Sequence, residues 1–101
     1  MKMYEYMAES IKELSELLKN EDKIKSVNLG KQFLKNLIDC YSQILTKNKD
    51  VIVSGYIHTM IDCYESKDVY VKVLDNVVDV LTKYEKMEIN EFLNKDVKYK
   101  L

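Results

Sequence analysis

The 101-residue sequence contains no proline, no arginine, no tryptophan and only two glycines. So little glycine and proline excludes Gly-rich phosphate-binding loops and flexible linker segments. All sixteen basic residues are lysines, so the chain lacks the planar guanidinium that binds phosphate or carboxylate through two parallel hydrogen bonds. Apolar residues make up 47% and charged residues 33% of the sequence, which predicts one folded domain over residues 1–101.

Long apolar runs are also missing. No run approaches the roughly 18 residues that span a bilayer, and the first ten residues carry glutamates where a secretory signal has an apolar stretch. We therefore expect no membrane association and a cytoplasmic location, in a prokaryotic cell or, for a viral protein, in the host cytoplasm. Two cysteines in that compartment are expected to be free thiols.

Apolar side chains recur at helical spacing in four segments, and this periodicity predicts an all-α fold. The β-branched run from Val69 to Val73 favours a strand locally, but the helical period continues well beyond it and outweighs it. A short helix from Glu88 to Asn94 and a frayed VKYKL tail follow. The expected architecture is a small antiparallel bundle of four main helices plus the short C-terminal helix. The four apolar stripes run through Tyr4–Lys19, Phe33–Leu45, Val53–Tyr64 and Tyr70–Tyr84.

Without proline, the expected helix starts depend on capping residues. Ser26 or Asn28 is expected to cap the second helix, whose first turn Gly30 weakens. Asp50 and Asp68 are expected to cap the third and fourth helices. The stripes also predict which side chains are mostly buried: Leu37, Tyr41, Met60, Tyr64, Leu74 and Val77.

The sequence LIDCY at Leu37–Tyr41 returns as MIDCY at Met60–Tyr64. Two copies are fewer than the three or more units of a solenoid, so we interpret the echo as two similar core-facing helices, arising by duplication or by chance. Zinc ligands usually come in close pairs such as C-x-x-C, whereas Cys40 and Cys63 each stand alone. We therefore expect half-buried, unlinked, metal-free thiols at the flank of each apolar stripe, and no cofactor.

One combination of side chains could support chemistry. His58, Asp62 and Glu65 have i, i+4 and i+7 spacing, which places an imidazole and two carboxylates on one helix face, suitable for a divalent metal or an acid–base pair. No second cluster of histidine or cysteine completes the site, so we interpret the three as a solvated face with weak pairing. No nucleophile elbow accompanies the serines. We therefore expect that the protein is not an enzyme.

Charge is unevenly distributed along the chain. Residues 19–49 contain seven lysines and three acidic residues, whereas residues 50–85 contain three lysines and seven acidic residues. The two segments either complement each other within the fold or present a surface to a charged partner. The candidate protein-binding residues are Asp62, Asp68, Asp75 and Asp79. The candidate nucleic-acid-binding residues, in an alternative interpretation, are Lys23, Lys25, Lys31 and Lys35.

In size, lysine content and helical pattern, the chain resembles bacteriocin immunity proteins and small phage or viral proteins that block host defence. The resemblance is architectural, covers the whole chain loosely and involves no motif. It implies a non-enzymatic protein-binding module that masks a larger partner, and the eight tyrosines suit such an interface. The alternative is a small helical subunit of a nucleoprotein complex, similar to the small subunits of RNA-guided defence complexes, contacting an RNA or DNA backbone. Homodimerisation stays open.

Overall fold

A computed structural model describes residues 1–48 and 50–99, and five α-helices account for most of them. The predicted all-α class is confirmed, and Val71–Tyr84 is a helix despite its β-branched residues. Among the described residues, no helix combines the length and apolar character needed to cross a bilayer. The helices are α1 (Met3–Lys19), α2 (Ile24–Leu45), α3 (Val53–Ile61), α4 (Val71–Tyr84) and α5 (Ile89–Leu93).

The core forms where the apolar stripes of the helices meet. Helix α2 packs against both α1 and α3, and α3 also packs against α4. Helix α1 packs against α4 as well, and α5 packs against α1 and α2. The predicted core positions Leu37, Met60, Leu74 and Val77 are all buried, whereas Tyr41 is half-buried.

The prediction that Tyr64 is buried is wrong, because its side chain is 49% exposed. Helix α3 ends at Ile61, so the helical period that placed Tyr64 on the apolar stripe does not extend to it. The Cys63 and Tyr64 amides donate instead to the Met60 and Ile61 carbonyls in tight turns. The two echoed segments therefore differ: Leu37–Tyr41 lies wholly inside α2, and Met60–Tyr64 runs past the end of its helix.

Three of the predicted helix starts are also wrong. Helix α2 begins at Ile24, before the expected caps, and Ser26 is buried in its first turn. Helices α3 and α4 follow Ile52 and Tyr70, not Asp50 and Asp68. These helices begin without a side-chain cap, so packing of their apolar stripes determines where they start.

Helix α5, unlike α2 to α4, begins with a side-chain cap. The Glu88 carboxylate accepts hydrogen bonds from the backbone amides of Asn90 and Glu91, at 3.0 and 3.3 Å. The sequence located this helix start within one residue, as it did the start of α1.

Gly30 lies inside α2 and has a packing role instead of weakening a first turn. A Cβ atom there would overlap the Leu18 side chain of α1 and lie 3.2 Å from Tyr70 Cδ1. Glycine therefore lets α1, α2 and the start of α4 approach closely at one point.

The C-terminal segment is ordered along the body, which corrects the expectation of a frayed tail. Val97 is buried, and its amide donates to the Met1 carbonyl at 2.8 Å. The Tyr99 ring packs edge-on against Tyr6, with 5.8 Å between ring centroids. The last two residues of that tail, Lys100 and Leu101, lie outside the described residues.

Candidate functional site

An acidic surface lies on α1. Glu9, Glu13 and Glu16 follow i, i+4 and i+7 spacing, which places them on one side of the helix. Glu13 and Glu16 line a shallow groove with Glu21, just past the end of α1, and with Val69 from the loop before α4. We call Glu9, Glu13, Glu16 and Glu21 the acidic face.

One of the predicted aspartates, Asp79 of α4, lies beside this face. Its charge and that of Glu13 both act on Tyr6, whose pKa rises to about 12, mainly through burial and in smaller part through these two carboxylates. Asp79 and Glu13 both influence the buried Tyr6 hydroxyl, so Asp79 lies where α4 borders α1. Its negative charge therefore adds to the edge of the acidic face. Asp75, one turn earlier, is exposed on the same helix.

Asp75 and Asp79 are not a purely acidic pair. Lys72 precedes Asp75 by three residues and Lys83 follows Asp79 by four, so the two lysines flank the two aspartates along one side of α4. Lys83 lines a pocket together with Asp79. The outer side of α4 is therefore mixed in charge, whereas α1 contains four glutamates and two lysines.

Tyr99 presents an aromatic ring at the acidic face. Its hydroxyl donates a hydrogen bond to Glu13 Oε2, and it lines a pocket with Glu9, Lys12 and Glu16. Burial, followed by the hydrogen bond to Glu13, raises the pKa of Tyr99, so the hydroxyl keeps its proton at alkaline pH where an unperturbed tyrosine ionises. Lys12 is the cation within this surface.

Asp68 and Asp62 lie in different settings. Asp68 is half-buried, and its Oδ2 atom is buried without a hydrogen-bond partner. It lies beside Tyr70, whose hydroxyl donates to the Cys63 carbonyl at 2.7 Å, and burial first and this carboxylate second raise the pKa of Tyr70. Asp62 is exposed at the C-terminal end of α3. The four predicted aspartates thus occupy three separate places.

The predicted arrangement of His58, Asp62 and Glu65 is not formed. Asp62 is already the C-cap of α3, and Glu65 lies beyond the helix, so the i+7 register that would align it with His58 is lost. Within residues 1–48 and 50–99, no three histidine, cysteine or acidic side chains come together as a metal site.

Both cysteines are free and buried, more deeply than the half-buried position expected. Burial raises the pKa of Cys40 to about 12. Burial, with a contribution from Asp62, also raises the pKa of Cys63. A buried thiol with a raised pKa is protonated at neutral pH and is a poor nucleophile.

The four predicted lysines are all exposed but do not form one line. Lys31 and Lys35 are one turn apart on the same edge of α2. Lys25 lies about 120° away from Lys31 around the helix axis, at 100° per residue. Lys23 precedes the helix as its N-cap. A phosphate backbone running along α2 would therefore meet two of these cations.

A groove of about 380 Å³ lies between α2 and α3. Its polar side chains include the amides Asn36 and Gln43, the Tyr56 hydroxyl and the Thr59 hydroxyl. The Gln43 side-chain oxygen accepts from Asn48 Nδ2 at 2.5 Å. These groups suit hydrogen bonding with an uncharged ligand and contribute no cation for nucleic acid.

Sequence reasoning missed the glutamates of α1 because it summed charge by segment. Lys2 and Lys12 reduce the balance of the first eighteen residues to −2, although Lys2 pairs with Asp96 instead, at 3.2 Å. The i, i+4, i+7 spacing was the available signal. Searches against protein-family models, curated proteins and solved structures give no match, so function must be inferred from these surfaces.

Proposed function

We propose that this protein is a non-enzymatic binding module, of the inhibitor, immunity or anti-defence type, that docks the basic surface of a larger protein on its acidic face. The observation that carries the proposal is the row of Glu9, Glu13 and Glu16 on one side of α1, with Asp79 at its edge. Such a surface steers a positively charged partner and raises its association rate.

The energetics of α1 support this role. Like charges at i, i+4 destabilise a helix by a few tenths of a kcal/mol per pair, and Glu9 and Glu13 are such a pair. Lys12 relieves only part of the repulsion within the row. Cations of a bound partner would relieve the rest, so binding gains from a repulsion that the free protein carries.

Tyr99 supports the same surface. Its ring is held in place by Tyr6 and its hydroxyl by Glu13. Tyrosine brings a large contact area to interfaces at low entropic cost, and a side chain that is already fixed loses less freedom on binding.

We further propose that the four longer helices run up and down as an antiparallel bundle within one domain. Two observations support opposite directions for α1 and α4. Val69, just before α4, lies with Leu17 near the end of α1, whereas Asp79, further along α4, lies near Tyr6 at the start of α1. Two buried free thiols suit the proposed cytoplasmic setting.

Charge reversal tests the proposed function. Capture by crosslinking in cells of the native host would recover the partner, and stopped-flow mixing would then measure its association rate. We expect Glu9→Lys together with Glu16→Lys to slow association about tenfold at low salt and to flatten its salt dependence. The matched control is Asp39→Lys, an exposed carboxylate on α2. Equal slowing by the control, or no slowing by the pair, would contradict the proposal.

The alternative, a nucleoprotein subunit, is favoured by one observation: Lys31 and Lys35 share an edge of α2. Fluorescence anisotropy with single-stranded RNA at increasing salt tests it. If this alternative is correct, Lys31→Gln with Lys35→Gln should lower the salt slope of affinity by about 0.7 per lost phosphate contact, while Glu9→Lys leaves binding intact or strengthens it.

A further inference from the structure

A second surface, distinct from the acidic face, lies over the seam between α1 and α2 and is apolar. On α1 it contains Tyr4, which is 39% exposed, and on α2 it contains Ile38 and Leu45, which are 40% and 45% exposed. Half-buried apolar side chains lie between these and the core. We call this surface the α1–α2 face, and its members are Tyr4, Ala8, Ile11, Leu34, Ile38, Tyr41 and Leu45.

Helix geometry places these residues on one side of the molecule. Leu18 and Gly30 touch across the seam and show which flanks of α1 and α2 face each other. The opposite flank of α2 faces α3, since Gln43 lines the groove there. The opposite flank of α1 faces α4, through Tyr6 and Asp79. The α1–α2 face is therefore the outer rim of the seam.

Lysines border the α1–α2 face on both sides. Lys19 is exposed on α1 beyond its apolar residues, and Lys12 lies where this border meets the acidic face. Lys31 and Lys35 are exposed on α2 beyond Ile38. All four positions follow from the spacing of one residue per 100° around each helix.

The acidic residues nearest to this border lie beyond the lysines. Asp39 is exposed one turn after Lys35 on α2, on the side away from Ile38. The Glu5 carboxylate accepts the Lys2 amide at 2.9 Å and closes the start of α1, and Glu16 lines the groove on the α4 side. The surface thus has an apolar centre and a basic rim.

We propose that the α1–α2 face docks an acidic amphipathic helix of a protein partner. A helix recognised in this way inserts apolar residues at i, i+3, i+4 and i+7 into a seam between helices, and its flanking glutamates or aspartates would meet the two lysine rows. This binding is independent of the acidic face, which takes a basic surface.

Charge also distinguishes this occupant from a second copy of the chain. Two copies packed through the same face would bring four lysines of one against four of the other, which costs binding energy. The exposed fraction of the apolar side chains favours a helix over a lipid surface as the occupant. Each large apolar side chain of the α1–α2 face is less than half exposed, a shape suited to packing against another helix.

The test uses a designed peptide as a probe: an acetylated eighteen-residue helix with leucine on one face and glutamate on both flanks. Backbone amide shifts in NMR spectra of the full chain would map its site, and fluorescence anisotropy would give its affinity. We expect shifts confined to α1 and α2 around the seam, and about tenfold weaker binding for Ile38→Glu.

One variant serves as a control, and one double variant tests the role of charge. Ile52→Glu changes an apolar side chain that is 68% exposed outside the face, and should leave affinity unchanged. Lys31→Glu with Lys35→Glu should weaken binding of the glutamate peptide and improve binding of a matched lysine peptide. Circular dichroism and thermal unfolding would verify that each variant is folded.

Four outcomes would overturn the proposal: shifts outside the seam, no binding at millimolar peptide, equal affinity for the lysine peptide, or equal loss with Ile52→Glu. Binding to anionic phosphatidylserine vesicles that Ile38→Glu abolishes, without peptide binding, would assign the face to membranes instead. Dimerisation in sedimentation experiments that Ile38→Glu abolishes would assign it to self-association. None of these outcomes bears on the acidic face.

Discussion

At the scale of single residues, the two glycines offer a matched pair. In a helix, Gly→Ala normally stabilises by about 0.5–1 kcal/mol. At Gly30 the added Cβ meets Leu18 and the buried Tyr70 ring, so we expect Gly30→Ala to lower the free energy of unfolding by about 1–3 kcal/mol. At Gly55 the nearest atom to the added Cβ is Ile52 Cγ2 at 3.9 Å, and Gly55→Ala should stabilise. Urea unfolding measures the stability change of each variant. Equal changes would show that Leu18 and Tyr70 can move away from the added Cβ at little cost.

Cys40 gives the stability a dependence on alkaline pH. Its pKa rises from 9.0 to about 12 in the fold because the thiol is buried. Between these values the unfolded chain loses the proton and the folded chain keeps it, so the free energy of unfolding falls as pH rises. Below about pH 9 the contribution is fully present.

The corresponding experiment compares the wild type with Cys40→Ala by urea unfolding between about pH 8 and pH 11. Tyr6 titrates over a similar range and contributes equally to both proteins. The free energy of unfolding should therefore fall more steeply with pH for the wild type than for Cys40→Ala, by up to about 1.4 kcal/mol per pH unit for one proton. Parallel curves would mean that the thiol titrates normally in the fold.

At the scale of elements, the long apolar stripe of α4 predicts its buried positions correctly. Leu74 is 2% exposed, as its stripe predicted, and Leu74→Ala should cost about 2–5 kcal/mol through lost packing and a cavity. Asp75→Ala, at the neighbouring exposed position, is the control and should change stability little. Chemical unfolding with far-UV circular dichroism provides the comparison, and a loss below about 0.5 kcal/mol at Leu74 would contradict the packing described.

Helix existence was predictable from sequence, as were both ends of α1 to within one residue, whereas the starts of α2 to α4 and the end of α3 were not. The 3.6-residue period of α1, α2 and α4 is long enough to be unambiguous. The period of α3 is not, since it covers nine residues, and the sequence offers no signal there that tells Ile61 from Tyr64. The starts of α2 to α4 were misjudged for a related reason: Ser26, Asp50 and Asp68 have capping side chains, but the packed apolar stripes position the helices elsewhere.

At the scale of the whole molecule, the C-terminal segment ties together residues far apart in sequence. We expect Tyr99→Ala to remove the contact with Tyr6 and the hydrogen bond to Glu13. Hydrogen exchange should then accelerate at the Val97 amide, which donates to the Met1 carbonyl. Lys98→Ala, an exposed neighbour, is the control. Unchanged exchange with Tyr99→Ala would show that Val97 holds the segment alone.

Each candidate surface combines residues from different helices, so the sequence alone indicated these surfaces only in part. Asp75 and Asp79 are candidates because they lie in an acidic stretch of the chain, but Lys72 and Lys83 lie on the same side of α4. The glutamates of α1 and Asp79 come together only because α1 packs against α4. Likewise, Tyr4 and Ile38 are unremarkable until the Leu18–Gly30 contact brings their helices side by side.

The hydrogen bond from the Met3 amide to the Lys95 carbonyl, at 2.9 Å, has a consequence for protein synthesis. Met3 is synthesised long before Lys95, so the first turn of α1 waits for its partner while all the residues between the two are made. Loop-closure entropy opposes so distant a contact until the intervening helices have packed. The start of α1 and Tyr6 therefore stay open to chaperones until Lys95 has emerged from the ribosome.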